Sequence, residues 1–450
     1  MDPEEARRLV RETNYVTWRA QGGWDPLLVV RAEGSTFFDS RGRAYLDFSS
    51  QLIATNLGHG NRAVIGAITA QAERLAYAAP GFATEARAEL SRALDGVLPA
   101  GLRRYFFSTS GTEANEAALK IARVVTGRRK VLARRRSYHG ATAASISVTG
   151  DPRRQPVDGL GTVPGTVFAP DCYCYRCPFG RTYPGCGLAC VEAVDETIRE
   201  EGDVAAMIVE PIVGTNGVLV PVPEYLPRLR EITRRRSVLL IADEVMTGWG
   251  RTGGWFAVDE FGVVPDLLTT AKGITGAYVP LGLTATTADL HAAFTDRYFP
   301  HGHTYEAHPL TLAPAVAAIA EYRRLGLLQK SRRDGAYLLD RLRELMERHR
   351  SIGDVRGQGL FCAVELVRDR TTKEPFNTPE DKLAGRPLVV DAVTRAMMAD
   401  GVYAMGWISH LVLAPPLIVT REEIDRGVDA LDRALAVADA LVTPTRTSGS

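Results

Sequence analysis

The chain has 450 residues, 45% of them hydrophobic, and its 54 lysines and arginines nearly balance 53 aspartates and glutamates, leaving a formal net charge of +1. That balance excludes a protein that works by gripping a phosphate backbone, which requires a marked positive field. No apolar run approaches the roughly 20 residues of a membrane span, and Met1-Asp-Pro-Glu-Glu5 begins no apolar signal core, so a soluble, cytoplasmic protein with neither nucleic-acid nor membrane partners is expected.

In chain order, Arg104-Tyr-Phe-Phe107 predicts a short buried strand, followed by the turn Ser108-Thr-Ser-Gly111 and a helix over Thr112–Val125. The unpaired N–H groups of such a turn, at Ser110, Gly111 and Thr112, together with the helix dipole make an anion site, although an ordinary helix cap has the same sequence. Short apolar runs recur at Lys130–Ala133, Thr166–Ala169, Ala206–Val209 and Val238–Ile241 between helical or loop stretches. This alternation indicates an α/β layered domain with a largely parallel sheet. The basic clusters Arg134–Arg136 and Arg234–Arg236 read as solvated strand or helix ends.

Five of the six cysteines fall between Cys172 and Cys190. Cys174-x2-Cys177 with Cys186-x3-Cys190 is compatible with four thiolates on zinc, or with a compact loop that packs thiols as small apolar groups. Disulfides are not expected in a chain without a secretion signal. Further on, His301, His303 and His308 have no obvious set of acidic or cysteine companions, so no metal ligands are assigned. From Thr311 to about Arg350 a long helical region is expected, then a strand over Gly359–Val367 and an amphipathic helix from Arg421 to Leu441 capped by Thr420.

Two charged residues stand out in this frame. Asp243 ends an apolar strand, and Lys272 follows about thirty residues later in Pro265-Asp-Leu-Leu-Thr-Thr-Ala-Lys-Gly273. Pyridoxal phosphate requires this combination: a buried carboxylate keeps its ring nitrogen protonated, and a lysine with a depressed pKa forms the Schiff base. Glu210 ends another strand at the same edge, where α/β ligand sites collect, and as a sequence feature it is also compatible with a carboxylate in water.

The run Leu240-Ile-Ala-Asp-Glu-Val-Met-Thr-Gly248-Trp-Gly250-Arg-Thr-Gly253, then Pro265-Asp266 and Thr270-Ala-Lys272-Gly273, closely resembles the signature of class III pyridoxal-phosphate aminotransferases. The resemblance extends from Asp47-Phe48 and Gly58-His59-Gly60 to Ala414-Pro-Pro-Leu417. It implies the α/β fold type I of pyridoxal-phosphate-dependent transferases: a large domain, residues 61–329, with a mostly parallel central sheet, and a smaller α+β domain from residues 1–60 and 330–442. Residues 443–450 read as a disordered tail.

The resemblance also assigns roles. It implies that Lys272 and Asp243 are catalytic, that Ser110, Gly111 and Thr112 hold the phosphate, and that Tyr138, beside His139, and Val245 sandwich the ring, with Glu210 close by. Thr112 replaces the more usual serine and keeps the hydroxyl. Thr304 matches the threonine that reaches the neighbouring subunit's phosphate, implying a homodimer or dimer of dimers with a shared active site. Many relatives carry an arginine three residues before Pro415-Pro-Leu that grips an α-carboxylate; here Val412 stands there. This points to ping-pong transamination from an ω-amino acid, a taurine-like sulfonate or a simple amine to pyruvate or 2-oxoglutarate, with Trp18, Trp249 and Trp255 helping to line an apolar pocket. An aminomutase or another pyridoxal-phosphate lyase on the same fold, and a non-catalytic pyridoxal-phosphate-binding protein, are the alternatives.

Overall fold

In the computed structural model, which describes residues 1–442, seven strands form the sheet that carries the site. They are β1 (Leu102–Ser108), β2 (Lys130–Arg134), β3 (Thr166–Ala169), β4 (Val204–Val209), β5 (Leu239–Asp243), β6 (Leu267–Thr270) and β7 (Gly282–Thr287), in the spatial order β1-β7-β6-β5-β4-β2-β3. β7 runs antiparallel to β1 and β6, and the other pairings are parallel. The expected α/β class with a mostly parallel sheet is therefore present. Parallel strands are covered on both faces, so they read as unbroken apolar runs; every residue of β4 is buried.

The carboxyl ends of β1, β2, β4, β5 and β6 point to one edge, where the amino end of antiparallel β7 joins them. Register sets the fine placement. Val209 pairs with Ala242 and Asp243 with Thr269, so Glu210 and Asp243 leave adjacent strands side by side. After β1 the chain turns directly into the helix Gly111–Thr126, whose cap Ser110 accepts a hydrogen bond from the Glu113 N–H at 3.3 Å. Its C-terminus stops at Gly127, held at φ 67°.

Strands Val29–Glu33, Thr36–Asp39 and Ala44–Asp47 form a small sheet that Val402–Tyr403 joins, tying the start of the chain to its end. A second sheet near the end combines Ile352–Gly357, Cys362–Asp369, Met405–Trp407 and His410–Leu413, with Glu374–Pro375 beside Cys362–Asp369. The last helix, Arg421–Asp439, starts at Thr420 as expected: the Thr420 hydroxyl accepts from the Glu423 N–H, and the Glu423 carboxylate accepts from the Thr420 N–H. The proposed tail, residues 443–450, lies outside the described residues. No helix among the described residues is long and apolar enough to cross a membrane.

Several expectations are corrected. The region from Thr311 to Arg350 is two helices, Pro309–Arg324 and Leu327–Arg348, because Gly326 adopts φ 59° between them. Arg134 is not a solvated strand end but fully buried, donating to the Glu210 carbonyl and to Cys172 Sγ. Trp249 does not line a substrate pocket; it is buried against Trp255, Phe256 and Tyr322, with its Nε1 donating to Thr270 Oγ1 at 2.8 Å. Trp255 packs against the same core.

Among the described residues, no group of three or more His, Cys, Asp or Glu side chains is arranged to hold a metal. Cys172 packs with Val191 and Val194 in an apolar cluster, and burial pushes the Cys190 thiol up to about 12, the state of a packed, protonated thiol. The loop is pinned from outside, with Arg176 donating to Glu365 at 2.6 Å.

Gly282, at the start of β7, faces the phosphate turn so closely that a Cβ there would lie 2.2 Å from the Ser110 carbonyl oxygen. Gly282→Ala is expected to cost about 1–3 kcal/mol in chemical denaturation and to weaken the binding of inorganic phosphate, because backbone must move to admit the methyl group. Unchanged values for both would contradict this packing.

Candidate active site

A cavity of about 520 Å³ opens at the carboxyl edge of the sheet, lined at one end by Ser110, Gly111 and Thr112 and at the other by Glu210, Asp243 and Lys272. Tyr138, His139, Val245 and Asn115 also line it. Nine of the ten residues singled out in the sequence are thereby brought together. Thr304 is not among them: it is exposed, and its carbonyl accepts from Tyr77 Oη at 3.1 Å. A slightly larger cavity, about 560 Å³, lies between β1, β7 and the loop carrying His301 and His303, and it contains neither Lys272 nor Asp243.

Asp243 is held by three hydrogen bonds. It is buried, and Oδ2 accepts from Asn115 Nδ2 at 2.8 Å and pairs with His139 Nδ1 at 2.7 Å, while Oδ1 accepts from the Val245 N–H at 3.0 Å. A carboxylate has about four acceptor positions, so three donors leave one free. Asn115 cannot turn, because its Nδ2 also reaches the His139 carbonyl and its Oδ1 accepts from Thr269 Oγ1 at 2.6 Å. His139 Nε2 is buried without a partner among the described residues.

Lys272 follows β6 with φ 49°, a left-handed conformation that costs a non-glycine residue about 1–3 kcal/mol and is held only where the surroundings over-determine it. Its amine has no protein hydrogen-bond partner among the described residues. Burial pushes its pKa down to about 8 against the opposing pull of Asp243 and Glu210, and the charges of Arg153 and Arg251 push in the same direction as burial. Glu210 accepts from the Tyr138 N–H at 2.9 Å and the Gly214 N–H at 2.8 Å. Its burial, and secondarily the Asp243 charge, raise its pKa, with His139 and the two N–H groups opposing.

The other end of the cavity is built for an anion. The N–H groups of Gly111 and Thr112 begin the helix Gly111–Thr126 and have no acceptor among the described residues. Thr112 Oγ1 accepts from the Ala141 N–H at 2.8 Å. Close approach is enforced twice: a Cβ on Gly111 would lie 2.7 Å from Val245, and one on Gly140 would lie 1.8 Å from Thr112 Oγ1.

Sequence reasoning missed four residues around this site. Asn115 orients Asp243, and Arg153, Trp407 and Asn216 surround Tyr138 from behind or hold what does. The Arg153 guanidinium carbon lies 3.9 Å from the Tyr138 ring centroid and 4.3 Å from that of Trp407. Asn115 was reachable, since it stands one helical turn inside the phosphate turn. Trp407 and Asn216 have no local signal. Val412 is fully buried with Ile212, Val218 and Met246, so the position of the missing arginine is apolar and closed.

Comparison with known proteins identifies the family. Residues 20–435 match the family described as aminotransferase class-III. The taurine–pyruvate aminotransferase of Rhodobacter capsulatus is 36% identical, over 91% of this chain and 92% of its own. A leucine/methionine racemase of Thermococcus litoralis is 35% identical over 91% of both chains. Among solved structures, a taurine:2-oxoglutarate aminotransferase from Bifidobacterium kashiwanohense, in complex with PLP and glutamate, superposes with a TM-score of 0.92 at 33% identity, covering 98% of this chain and 99% of that one. The chain belongs to the class III aminotransferase family, whose members use pyridoxal 5′-phosphate (PLP).

The cavity fits that cofactor on its own evidence. Two free N–H groups at a helix start meet a phosphate's need, one free acceptor position on a buried aspartate meets a protonated ring nitrogen's, and the glycine at 111 keeps the space beside Val245 open. In the cofactor-free protein, acylation of Lys272 by an amine-directed reagent, followed by mass spectrometry, is expected to rise with pH around a midpoint of about 8, because only the unprotonated amine reacts. Solvated lysines titrate near 10.4, and a midpoint there for Lys272 would contradict its burial.

Proposed function

We propose that this class III aminotransferase moves the amine of an ω-amino acid, a taurine-like sulfonate or a simple amine to pyruvate or 2-oxoglutarate by a ping-pong route. The observation that carries the reading is the shared cavity of Lys272, with its amine held down to about 8, a triply bonded Asp243 and an open helix N-terminus. Val412 supports the donor class, because its closed apolar surroundings offer no cation to an α-carboxylate at that position.

When bound, PLP supplies an electron sink that stabilises charge left at the donor carbon. The chain supplies everything else. Gly111 and Thr112 N–H groups, with the Ser110 and Thr112 hydroxyls, hold the phosphate. Asp243 keeps the proton on the ring nitrogen, and Asn115 and His139 keep Asp243 in place. Tyr138 and Val245 wall the two faces of the ring, and Glu210 fixes Tyr138 through its backbone N–H. Lys272 Nζ, whose protonated form burial disfavours, would take the proton from the donor's amine-bearing carbon in the first half-reaction and would give a proton to the amine-bearing carbon of the new amine in the second.

The working protein is a cytoplasmic homodimer or dimer of dimers. The exposure of Thr304 outside its own chain's cavity supports a role toward the phosphate of the neighbouring subunit. A second reading draws on the Thermococcus litoralis racemase: the same frame also carries inversion at an amine-bearing carbon. Chiral analysis of unreacted donor separates the two, since a racemase inverts it without an oxo acid.

With PLP loaded, the protein is expected to show a yellow absorption band that taurine, β-alanine, 4-aminobutyrate or 1-phenylethylamine bleaches and pyruvate or 2-oxoglutarate restores. Lys272→Ala should abolish turnover while phosphate binding persists; wild-type turnover in that variant would overturn the assignment. Sedimentation should give at least twice the 49.0 kDa chain mass, and a monomer would exclude the shared site.

A further inference from the structure

Lys272 keeps φ 49° although its amine has no protein partner among the described residues, so its backbone has to be fixed from elsewhere. Its own turn does not explain the conformation. The Lys272 carbonyl accepts from the Thr275 N–H at 3.3 Å and the Ala277 N–H at 3.2 Å, and Ala277 is itself left-handed at φ 66°. The restraint comes from residues on either side of the lysine, which are gripped by the core.

Two residues before Lys272, Thr270 is fully buried, and its Oγ1 accepts from Trp249 Nε1 at 2.8 Å and donates to the Glu244 carbonyl at 3.3 Å. One residue after it, the Gly273 carbonyl accepts from Tyr322 Oη at 2.7 Å. Gly273 has no room to shift: a Cβ there would lie 2.6 Å from Asn56 Nδ2 and 2.7 Å from Trp249 Cβ. Asn56 is in turn fixed to Trp249, donating its Nδ2 to that carbonyl at 3.0 Å. Tyr322 belongs to the helix Pro309–Arg324 and is fully buried, its ring centroid 6.3 Å from that of Trp249 and 6.0 Å from that of Trp255. Burial pushes the phenol pKa up, so the hydroxyl stays protonated and remains a donor. Neither Tyr322 nor Trp249 lines the cavity of Lys272 and Asp243.

We propose that Tyr322 is a positioning residue for Lys272: its hydroxyl holds the Gly273 carbonyl and, with Trp249 gripping Thr270, keeps the lysine in the left-handed conformation that delivers its amine to the cavity. The effect on turnover rests on the transaminase reading; the effect on the amine rests on the geometry alone. Both anchors are aromatic side chains seated in a close-packed core, so they have little freedom to follow a relaxing backbone. A left-handed lysine costs about as much as one or two such hydrogen bonds contribute. Without the Tyr322 hydroxyl, the Gly273 carbonyl keeps the Gly276 N–H at 3.0 Å, and the balance tips toward an ordinary φ at Lys272. That rotation swings Nζ, and a displacement of about 1 Å from the reacting carbon costs about a hundredfold in rate. It also lets the amine leave the dry position that favours its neutral form.

The test uses Tyr322→Phe, which removes the hydroxyl and keeps the ring, and Thr270→Val, which removes the hydroxyl of the opposite anchor at nearly the same shape. Tyr337→Phe is the matched control, since Tyr337 Oη donates to Asp425 Oδ1 at 2.6 Å outside the cavity. In the cofactor-free protein, acylation of Lys272 read by mass spectrometry is expected to have its midpoint at about 8 in the wild type and in Tyr337→Phe. In Tyr322→Phe and Thr270→Val the midpoint should rise by about one pH unit, toward the value near 10.4 of a solvated lysine. With PLP loaded, kcat is expected to fall about tenfold to a hundredfold in those two variants, with KM close to the wild-type value. A merely structural role would lower the denaturation midpoint and leave the Lys272 titration where it was. An unmoved acylation midpoint or an unchanged kcat in Tyr322→Phe overturns the proposal, and so does an equal shift in Tyr337→Phe. Should Tyr322→Phe fail to fold, Thr270→Val decides by the same readings. If the wild type transaminates none of the donors while the acylation midpoint still moves in Tyr322→Phe, the transaminase reading fails and the positioning of Lys272 stands.

Discussion

A carboxylate removed from water has to be given hydrogen-bond donors, and the placement of Asp243 at the end of β5 makes the surrounding structure supply them. Its donors come from three separate parts of the chain: the helix after β1, the loop after β2 and the backbone immediately following β5 itself. The two side-chain donors' residues are secured in turn, Asn115 by Thr269 and the His139 carbonyl, and His139 by its backbone N–H to Thr149. The parallel sheet explains why this is possible. It delivers consecutive crossover loops to one edge, where side chains distant in sequence meet at hydrogen-bonding distance.

The same edge manages opposite charges by unequal solvation. Asp243 is held by three donors, whereas Lys272 receives none from the protein and is pushed by burial toward its neutral form. Glu210 lies between these extremes: two N–H groups stabilise its carboxylate, but burial and its neighbour Asp243 raise its pKa. Groups with contrasting tasks thus share one cavity because each is solvated differently by the fold, and the distinction is made by hydrogen bonds rather than by distance.

Much of this was legible in the sequence, for identifiable reasons. Strands β2 and β4 announced themselves because a strand covered on both faces reads as an apolar run, β3 as a short apolar run at the edge of the sheet, and the Thr420 capping box is a local signal with a local structure. β6 and β7 were not called as strands, because four of their buried positions are threonines, at 269, 270, 284 and 286, which a hydrophobicity reading passes over. The buried state of Arg134 and the commitment of Trp249 to the core were equally hidden, since a charged cluster or a tryptophan carries no mark of its eventual partners. The site residues that carry motifs were found; Arg153, Asn216 and Trp407 are brought together by tertiary packing from positions up to 254 residues apart, and no spacing rule reaches that far.

Arg251 has a consequence for how the molecule comes into being. Its guanidinium joins Ser50 and Asn56 near the start of the chain to Leu360 and Pro415 near its end, across separations of 109 to 201 residues, and it sits in the signature segment just after β5. Burial lowers its pKa to about 10, so the cation is tolerated there chiefly because all four acceptors are present. During synthesis from the amino terminus, every residue that lines the cofactor cavity has left the ribosome before Leu360 and Pro415 exist. Until then Arg251 lacks two of the four acceptors it has in the finished fold, so its burial can be completed only when the last part of the chain arrives.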